Sequence, residues 1–346
     1  MINIGIIGTG FGAKVQVPGF RAVRGARVLG IAGRSAAKTA AVAKELDIPR
    51  PFSSWKKLID DPKIDVVSIV SPPRYHKEMA LYAAHCKKHI FCEKPLAMSA
   101  TEAKKMLSAV KRAGVVHGID FEFRNLPGLV VLRGLLAKKT IGGVRHARIA
   151  WLTGSRASTN IPLSWQNRKK EGGGVLFSHC SHVIDYMELL FGKIKSVSAR
   201  LTVAKKNGAD AEDTCDMLFR LANGATASVT VSNVLPGAST NMIEVYGDKG
   251  SLRLENYDPK DPDFGFRLFH FSLASNKEKE ISLKRPKKSN ISDTRVLLFR
   301  QTAEKFIRAI EKKKKTVPSF VDGLRAQMAM DAVRISDRSG REVLIR

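Results

Sequence analysis

The opening residues limit what this chain can fold into more than any other stretch does. Residues 2–8, INIGIIG, are apolar almost without a break and end in glycine, and the run GTGFGA follows at residues 8–13. A continuous apolar run suits a strand buried on both faces of a parallel sheet. Gly8, Gly10 and Ala13 then give the spacing G-x-G-x-x-[GA] directly ahead of a helix expected over residues 13–23. The first glycine allows a tight turn, and the second lets the backbone approach a pyrophosphate. The helix start offers unpaired N–H groups to phosphate oxygens. Glycine spacing alone also fits a purely structural turn, so the strand-turn-helix setting carries the argument. Dinucleotide contacts are expected from Gly8, Thr9, Gly10, Phe11 and Gly12.

The second strand, ARVLGIAG, bears on which dinucleotide. An acid at its end would hold a ribose 2′-hydroxyl, but Gly33 stands there, followed by Arg34, Ser35 and, one turn on, Lys38. Two cations and a hydroxyl beside a missing carboxylate suit a 2′-phosphate, which favours NADP(H) over NAD(H). The plain alternative is that Arg34 is a solvated surface residue.

Strands and helices go on alternating as far as about residue 120. DVVSIV closes on Ser71-Pro72-Pro73, a helix is expected over 75–86, HIFCEK is a strand broken at Pro95, and SATEAKKMLSAVKRAG is a helix. That helix carries a capping box at Ser99 and Glu102 and a glycine stop at Gly114. Beyond about residue 120 the pattern changes. After a helix at 127–138, β-rich stretches are joined by turn signals at Asn223-Gly224 and Asp248-Lys249-Gly250, which predicts antiparallel hairpins. Two more helices, about 294–314 and 321–337, and a short strand EVLI close the chain. The fold class expected is α/β: a doubly wound parallel sheet over 1–122, then an α+β domain over 123–346 with a large, mostly antiparallel open sheet. The C-terminal helices are candidates to pack back on the first domain.

Composition narrows the setting. The chain has 346 residues, 44% of them hydrophobic, enough for two cores. No apolar run reaches the roughly 18 residues of a membrane span, and the N-terminus reads as a strand rather than a signal peptide. Cys86, Cys92, Cys180 and Cys215 are irregularly spaced without a C-x-x-C pair, so reduced thiols and a cytoplasmic setting are expected. The net charge of +27 is large, but it is spread in lysine doublets, with clusters only at 284–288 and 312–315. Dispersed doublets fit a solvated surface, so a nucleic-acid partner is not expected.

CEKPLAMSATEAKKML (92–107), the preceding SPPRYHKEMALYAAHCKKHIF, the stretch DFEFRNLP, the GGG…H…ID segment and the closing DGLRAQMAMDAVRISDRSGREV together resemble the Gfo/Idh/MocA oxidoreductase family. The match runs over about residues 2–345. The resemblance implies a Rossmann domain, an α/β domain whose open sheet forms a homodimer or homotetramer, and NAD(P)-dependent chemistry on a sugar, polyol or related compound. It implies that Lys94 sits at the nicotinamide and touches the reacting oxygen, with a cis bond into Pro95. Elementary chemistry agrees. Hydride arriving at a carbonyl builds negative charge on oxygen, and a proton donor there stabilises it. Lys94 also follows a parallel strand at its carboxyl end, where open sheets bind ligands. The plain reading of Lys94 is a surface lysine or a partner of Glu93.

The segment GGGVLFSHCSHVID (172–185) is expected to continue as a helix, with Ser178, His182 and Asp185 on one face. By the resemblance, His182 is the family's acid/base or substrate-ligand histidine, and Ser178 stands where the family usually has aspartate; the plain reading of His182 is a satisfied core histidine. A serine can hydrogen-bond but brings no charge to an imidazole. His179, one residue on, is expected about 100° around the helix. A metal site from His179, Cys180 and His182 lacks further ligands and is not expected.

The remaining candidates have plain alternatives. Arg124 suits a carboxylate or phosphate, or a salt bridge to Glu122 or a neighbouring acid. Trp165 and Arg168 suit a sugar platform and clamp, or packing and surface. Ser71, Pro72, His76 and Glu93 lie at the expected nicotinamide side, where His76 also suits a structural role. Lys94 and His182 are the catalytic candidates. The rival reading is a dinucleotide-binding regulatory or sensor protein without turnover, motivated by Ser178 and the basic surface.

Overall fold

The computed structural model describes residues 1–158, 160–204, 208–285 and 293–345. Two compact units emerge, residues 1–122 with 289–327, and residues 123–288 with 328–346. The basic cluster at 284–288 falls largely outside the described residues, as do Lys205 and Lys206.

The first unit is built on six parallel strands: β1 (Ile2–Ile7), β2 (Ala26–Ala32), β3 (Arg50–Phe52), β4 (Val66–Ile69), β5 (His89–Cys92) and β6 (His117–Ile119). Their order is β3-β2-β1-β4-β5-β6, so the strand order reverses beside β1. Helices α1 (Val17–Arg21), α2 (Ala36–Glu45), α3 (Trp55–Asp60), α4 (His76–His85) and α5 (Ala100–Ala113) alternate with the strands. Each start has a local cause where one is visible. The Ser35, Ser54 and Ser99 side chains each accept from the backbone N–H three residues on. Gly114 ends α5 in the left-handed region. Glu102 of the expected capping box accepts from the Met98 N–H and pairs with Lys77.

The helix expected over 13–23 differs from its expectation. It opens with a widened π-helical turn at Gly12–Gln16 and ends at Arg21. This turn faces Gln16 inward, where it is fully buried.

The second unit is a nine-stranded mixed sheet of β7 (Val144–Thr153), β8 (Ile194–Thr202), β9 (Thr214–Leu221), β10 (Thr226–Ser232), β11 (Ser239–Gly247), β12 (Gly250–Asn256), β13 (Arg267–Ser272), β14 (Lys277–Ile281) and β15 (Val343–Leu344). The order is β14-β13-β12-β11-β7-β10-β9-β8-β15. The hairpins expected at Asn223-Gly224 and Asp248-Lys249 are present and antiparallel. One pairing, β7 with β10, is parallel. Along β9, Cys215, Met217, Phe219 and Leu221 are buried while Asp216, Leu218 and Arg220 are exposed. This alternation marks a sheet covered on one face. α6 (Pro127–Ala137) lies against β12, where Gly128 meets Leu254, and α7 (Ser181–Phe191) buries Val183, Ile184 and Met187.

α8 (Arg295–Glu311) belongs to the first unit and supplies two of its core rings. Phe20, Phe91, Phe299 and Phe306 meet edge to face at centroid distances of 5.0–5.8 Å. Such pairs add about 0.5–1.5 kcal/mol each beyond their buried area. α9 (Phe320–Ser339) follows. No helix among the described residues is long and apolar enough to cross a membrane.

Candidate active site

In the first unit, the loops after β1, β2, β4 and β5 lie at the carboxyl ends of neighbouring strands. Gly8 has φ +143°, and a Cβ there would sit 2.3 Å from the Val70 carbonyl oxygen. Only glycine fits this contact. Gly10 is the opposite case: it is exposed, and a Cβ there meets no heavy atom within 4 Å. The tight turn is therefore filled by protein, and the second glycine opens onto space a phosphate can enter. These residues fit a dinucleotide.

At the end of β2, a Cβ on Gly33 would lie 2.7 Å from Thr9 Cγ2 and 2.8 Å from Thr39 Oγ1. A side chain here would have to displace the Thr9 or Thr39 side chain. Arg34, Ser35 and Lys38 are all exposed beside it. The Ser35 hydroxyl accepts from the Lys38 N–H at 3.3 Å while capping α2.

After β5, the Lys94–Pro95 peptide is cis, as is Val317–Pro318. Lys94 is half-buried. His76 is fully buried, with Nδ1 3.0 Å from the Pro95 carbonyl oxygen and Nε2 2.8 Å from that of Ser71. Burial lowers its pKa, and a neutral ring has one N–H, so it donates to one of these carbonyls at a time. The structure places His76 as a brace between the Ser71-Pro72 loop and the Lys94-Pro95 turn, enclosed by backbone rather than facing a ligand.

Beneath Lys94 lies a buried polar cluster that the sequence did not reveal. Gln16 Nε2 donates to Glu93 Oε1 at 2.8 Å and to Asp120 Oδ2 at 3.4 Å. Gln16 Oε1 accepts from the Ser68 hydroxyl. Glu93 Oε2 accepts from the Lys94 backbone N–H at 3.3 Å. Burial raises the pKa of Glu93, opposed by the neighbouring Asp120, the Lys94 charge and the hydrogen bond from Gln16. Asp120 is pushed well above the usual carboxylate range by burial, then by Glu122 and Glu93.

In the second unit, Gly173 and Gly174 are buried, and Gly174 has φ +104° with Glu212 Oε1 2.1 Å from where a Cβ would be. The residues beyond it form a π-helical turn, Leu176–Cys180, before α7 begins at Ser181. This changes the expected single helical face. Ser178 Oγ donates to the Gly174 carbonyl at 2.8 Å and lies 2.8 Å from His179 Nδ1. Since the hydroxyl proton goes to the carbonyl, His179 donates from Nδ1. Ser178 is thus joined to His179, a residue expected to point elsewhere.

His182 is buried, and Phe123 stacks on its ring at 4.3 Å and 15°. Phe123 also meets Trp151 at 5.5 Å, and Trp151 meets His179 edge-on at 4.7 Å. Four rings thus run in contact from His182 to His179. Next to them a cavity of about 320 Å³ is lined by Arg156, Gln166, Asn167, Ser178, His179 and Asn233, among others.

Other expected residues fall differently. Arg124, expected to hold a substrate anion, is engaged by Asp185 through two hydrogen bonds of 2.6 and 2.7 Å. Its charge is compensated within the protein, so the neighbouring-acid alternative is the one realised. Trp165 and Arg168 are exposed and lie outside the cavity lining, whereas Gln166 and Asn167 between them are part of it. Cys180 is fully buried, as is Cys215. Among the described residues no group of three or more His, Cys, Asp or Glu is placed to hold a metal ion.

Comparison with known proteins meets the same architecture. Residues 2–121 match the oxidoreductase family with an NAD-binding Rossmann fold, and residues 130–253 match the GFO/IDH/MocA C-terminal domain. An uncharacterized oxidoreductase of Synechocystis is 30% identical over 345 residues, covering 96% of this chain and 93% of that protein. Levoglucosan dehydrogenase of Pseudarthrobacter phenanthrenivorans is 29% identical over 375 residues, covering 96% and 95%. A solved levoglucosan dehydrogenase in complex with NADH and levoglucosan is 27% identical, covers 99% of each chain and superposes with a TM-score of 0.90. With both of its halves matched and a relative at 30% identity over nearly its whole length, this chain belongs to the Gfo/Idh/MocA oxidoreductase family.

Proposed function

We propose that this protein transfers a hydride between a nicotinamide dinucleotide and a sugar, polyol or related small hydroxy or keto compound, with NADP(H) favoured over NAD(H). One observation carries the reading: Lys94 stands at the carboxyl end of β5, in the same sheet whose β1 ends in the open Gly10 turn. Bound nicotinamide supplies or accepts the hydride. The chain's own residues do the rest. In carbonyl reduction the Lys94 ammonium donates a proton to the substrate oxygen, and in alcohol oxidation the neutral amine takes it. His182, held flat by Phe123, orients a substrate hydroxyl, and the neighbouring rings offer apolar faces to a sugar. Arg34, Ser35 and Lys38 receive the 2′-phosphate, beside a Gly33 that supplies no acid for a ribose hydroxyl. The sugar assignment is supported by the levoglucosan dehydrogenase likeness.

The test is binding of NADPH and NADH by fluorescence, followed by single-turnover oxidation and reduction across sugars, polyols and anhydrosugars. Lys94→Ala should retain cofactor binding and lower the chemical rate by about 10²–10⁴-fold. Absence of binding to either dinucleotide overturns the proposal. Binding without turnover on any substrate favours a regulatory protein instead, a reading to which Ser178, bonded to His179 and the Gly174 carbonyl, lends support.

A further inference from the structure

We propose that Glu93 and Asp120 are a one-proton carboxyl dyad, organised by Gln16 and Ser68, that holds a single negative counter-charge beneath Lys94. The two carboxyl groups are buried and share the Gln16 amide, which reaches Glu93 at 2.8 Å and Asp120 at 3.4 Å. They come from the ends of β5 and β6. Two buried carboxylates bridged by one amide nitrogen repel strongly, and a proton on one of them removes that repulsion. The surrounding donors count toward the same answer. Gln16 gives both of its amide protons to the pair, one to each residue, and the Lys94 N–H gives a third. Asp120 Oδ1 is buried without a hydrogen-bond partner among the described residues. That is tolerable on a neutral acid and costly on a carboxylate. The proton therefore resides mainly on Asp120, and Glu93 carries the charge.

The other groups facing the pair fit this count. The Cys92 thiol, between them on β5, is neutral because burial, then Glu93 and Asp120, raise its pKa well above the ordinary thiol value. Glu122 adds negative charge near Asp120 and further disfavours a second ionisation. His76 faces the Pro95 carbonyl on the far side of the lysine and is neutral. Lys94 is a cation acting on both carboxyl groups. A proton relay from the dyad to Lys94 is disfavoured, since it would leave two buried negative charges. Glu93 and Asp120 are thus positioning residues that act through the Lys94 charge. Their effect on hydride transfer rests on the function proposed above.

The test reads the dyad without turnover. Infrared spectra of the whole protein, with ¹³C-labelled aspartate and glutamate, should show a protonated carboxyl stretch near neutral pH that D120N and E93Q each remove. Either single variant leaves one carboxyl group, which ionises against Lys94. Acylation of Lys94 by acetic anhydride at neutral pH should therefore change by no more than about twofold in each. The double variant E93Q/D120N has no counter-charge, and its Lys94 should react about tenfold faster, the scale of one opposite charge at close range. Absence of the protonated band in wild type overturns the proposal, and needs no variant to fold. So does a tenfold change already present in a single variant, or none in the double variant that binds NADPH or NADH as wild type does. A positive infrared and labelling result in a protein that turns over no sugar would keep the dyad and reject only the proposed function.

Discussion

Arg124 and Asp185 meet in a two-point ion pair, Nε to Oδ2 at 2.7 Å and Nη2 to Oδ1 at 2.6 Å, with side chains only 10% and 3% exposed. The pair ties the segment ahead of α6 to the middle of α7, the helix that carries His182. Removing one partner takes the close opposite charge away from a buried group. Asp185→Asn is expected to cost about 3–5 kcal/mol in urea unfolding of the second unit. Arg124→Lys keeps the charge but loses the planar two-point match, and should cost less. If Asp185→Asn unfolds at the wild-type urea midpoint, the pair is not what anchors α7.

The two glycines of the first turn should separate fold from binding. Gly8→Ala forces a side chain against the Val70 carbonyl at a φ that only glycine adopts readily. It should lower stability by about 1–3 kcal/mol. Gly10→Ala meets nothing in the fold. Its unfolding midpoint should shift by less than about 0.5 kcal/mol, while dinucleotide affinity falls about tenfold, or roughly 1.4 kcal/mol. Calorimetric binding and thermal melts on both variants decide the matter. Equal losses of stability would mean that the open side of Gly10 is filled by protein.

The parts of the fold legible in sequence were those with a local cause. The β1 run, the serine caps of α2 and α5 and the Asn223-Gly224 hairpin each carry their signal within a few residues. What escaped depends on distant partners or on exposure. β3 is three residues long and contains a proline, and β14 is mostly charged at a sheet edge, so neither shows an apolar pattern. The parallel pairing of β7 with β10 joins residues about 80 apart. The widened turn at 176–180 shows no periodicity of its own, yet it decides that Ser178 serves His179. Gln16 and Asp120 are 104 residues apart, and nothing near either one announces the other. The glycine turn and the strand end that precedes Lys94 could be read because their signals are local, but the carboxyl groups near that lysine could not.

His117 gives the first unit a defined acid response. Its pKa is lowered to about 4, chiefly by burial and then by Lys111. Nδ1 also accepts the Phe320 N–H at 3.2 Å, a role open only to an unprotonated nitrogen. A histidine whose folded pKa lies below its unfolded value stabilises the fold above the unfolded pKa. That contribution is lost as pH falls toward 4, because the unfolded chain binds the extra proton. The buried acid Asp120 titrates with the opposite sign, so the comparison must be between variants. His117→Gln, which can still accept from Phe320, should lose ground to wild type at pH 7 and gain about 2–3 kcal/mol relative to it by pH 4. Parallel pH profiles for the two proteins would show that the imidazole is protonated in the fold after all.

Arg34 and Lys38 should decide between the two dinucleotides. They differ from Lys94 in that the ligands to be compared are identical except for one phosphate. Arg34→Ala removes a charge-assisted partner worth about 1.5–3 kcal/mol, so NADPH affinity should fall by roughly ten- to a hundredfold. NADH affinity should change by no more than about twofold, since the arginine then faces only a neutral ribose hydroxyl. Lys38→Ala should act in the same direction, more weakly and with stronger salt dependence, because its amine is a flexible and exposed point charge. Introducing an acid by Gly33→Asp should not rescue NADH binding, because the new side chain collides with Thr9 and Thr39. Titrations of both dinucleotides at two salt concentrations distinguish these outcomes. Equal losses for NADPH and NADH on Arg34→Ala would mean that the guanidinium lies on the adenine rather than on a 2′-phosphate, and the preference for NADP(H) would fall with it.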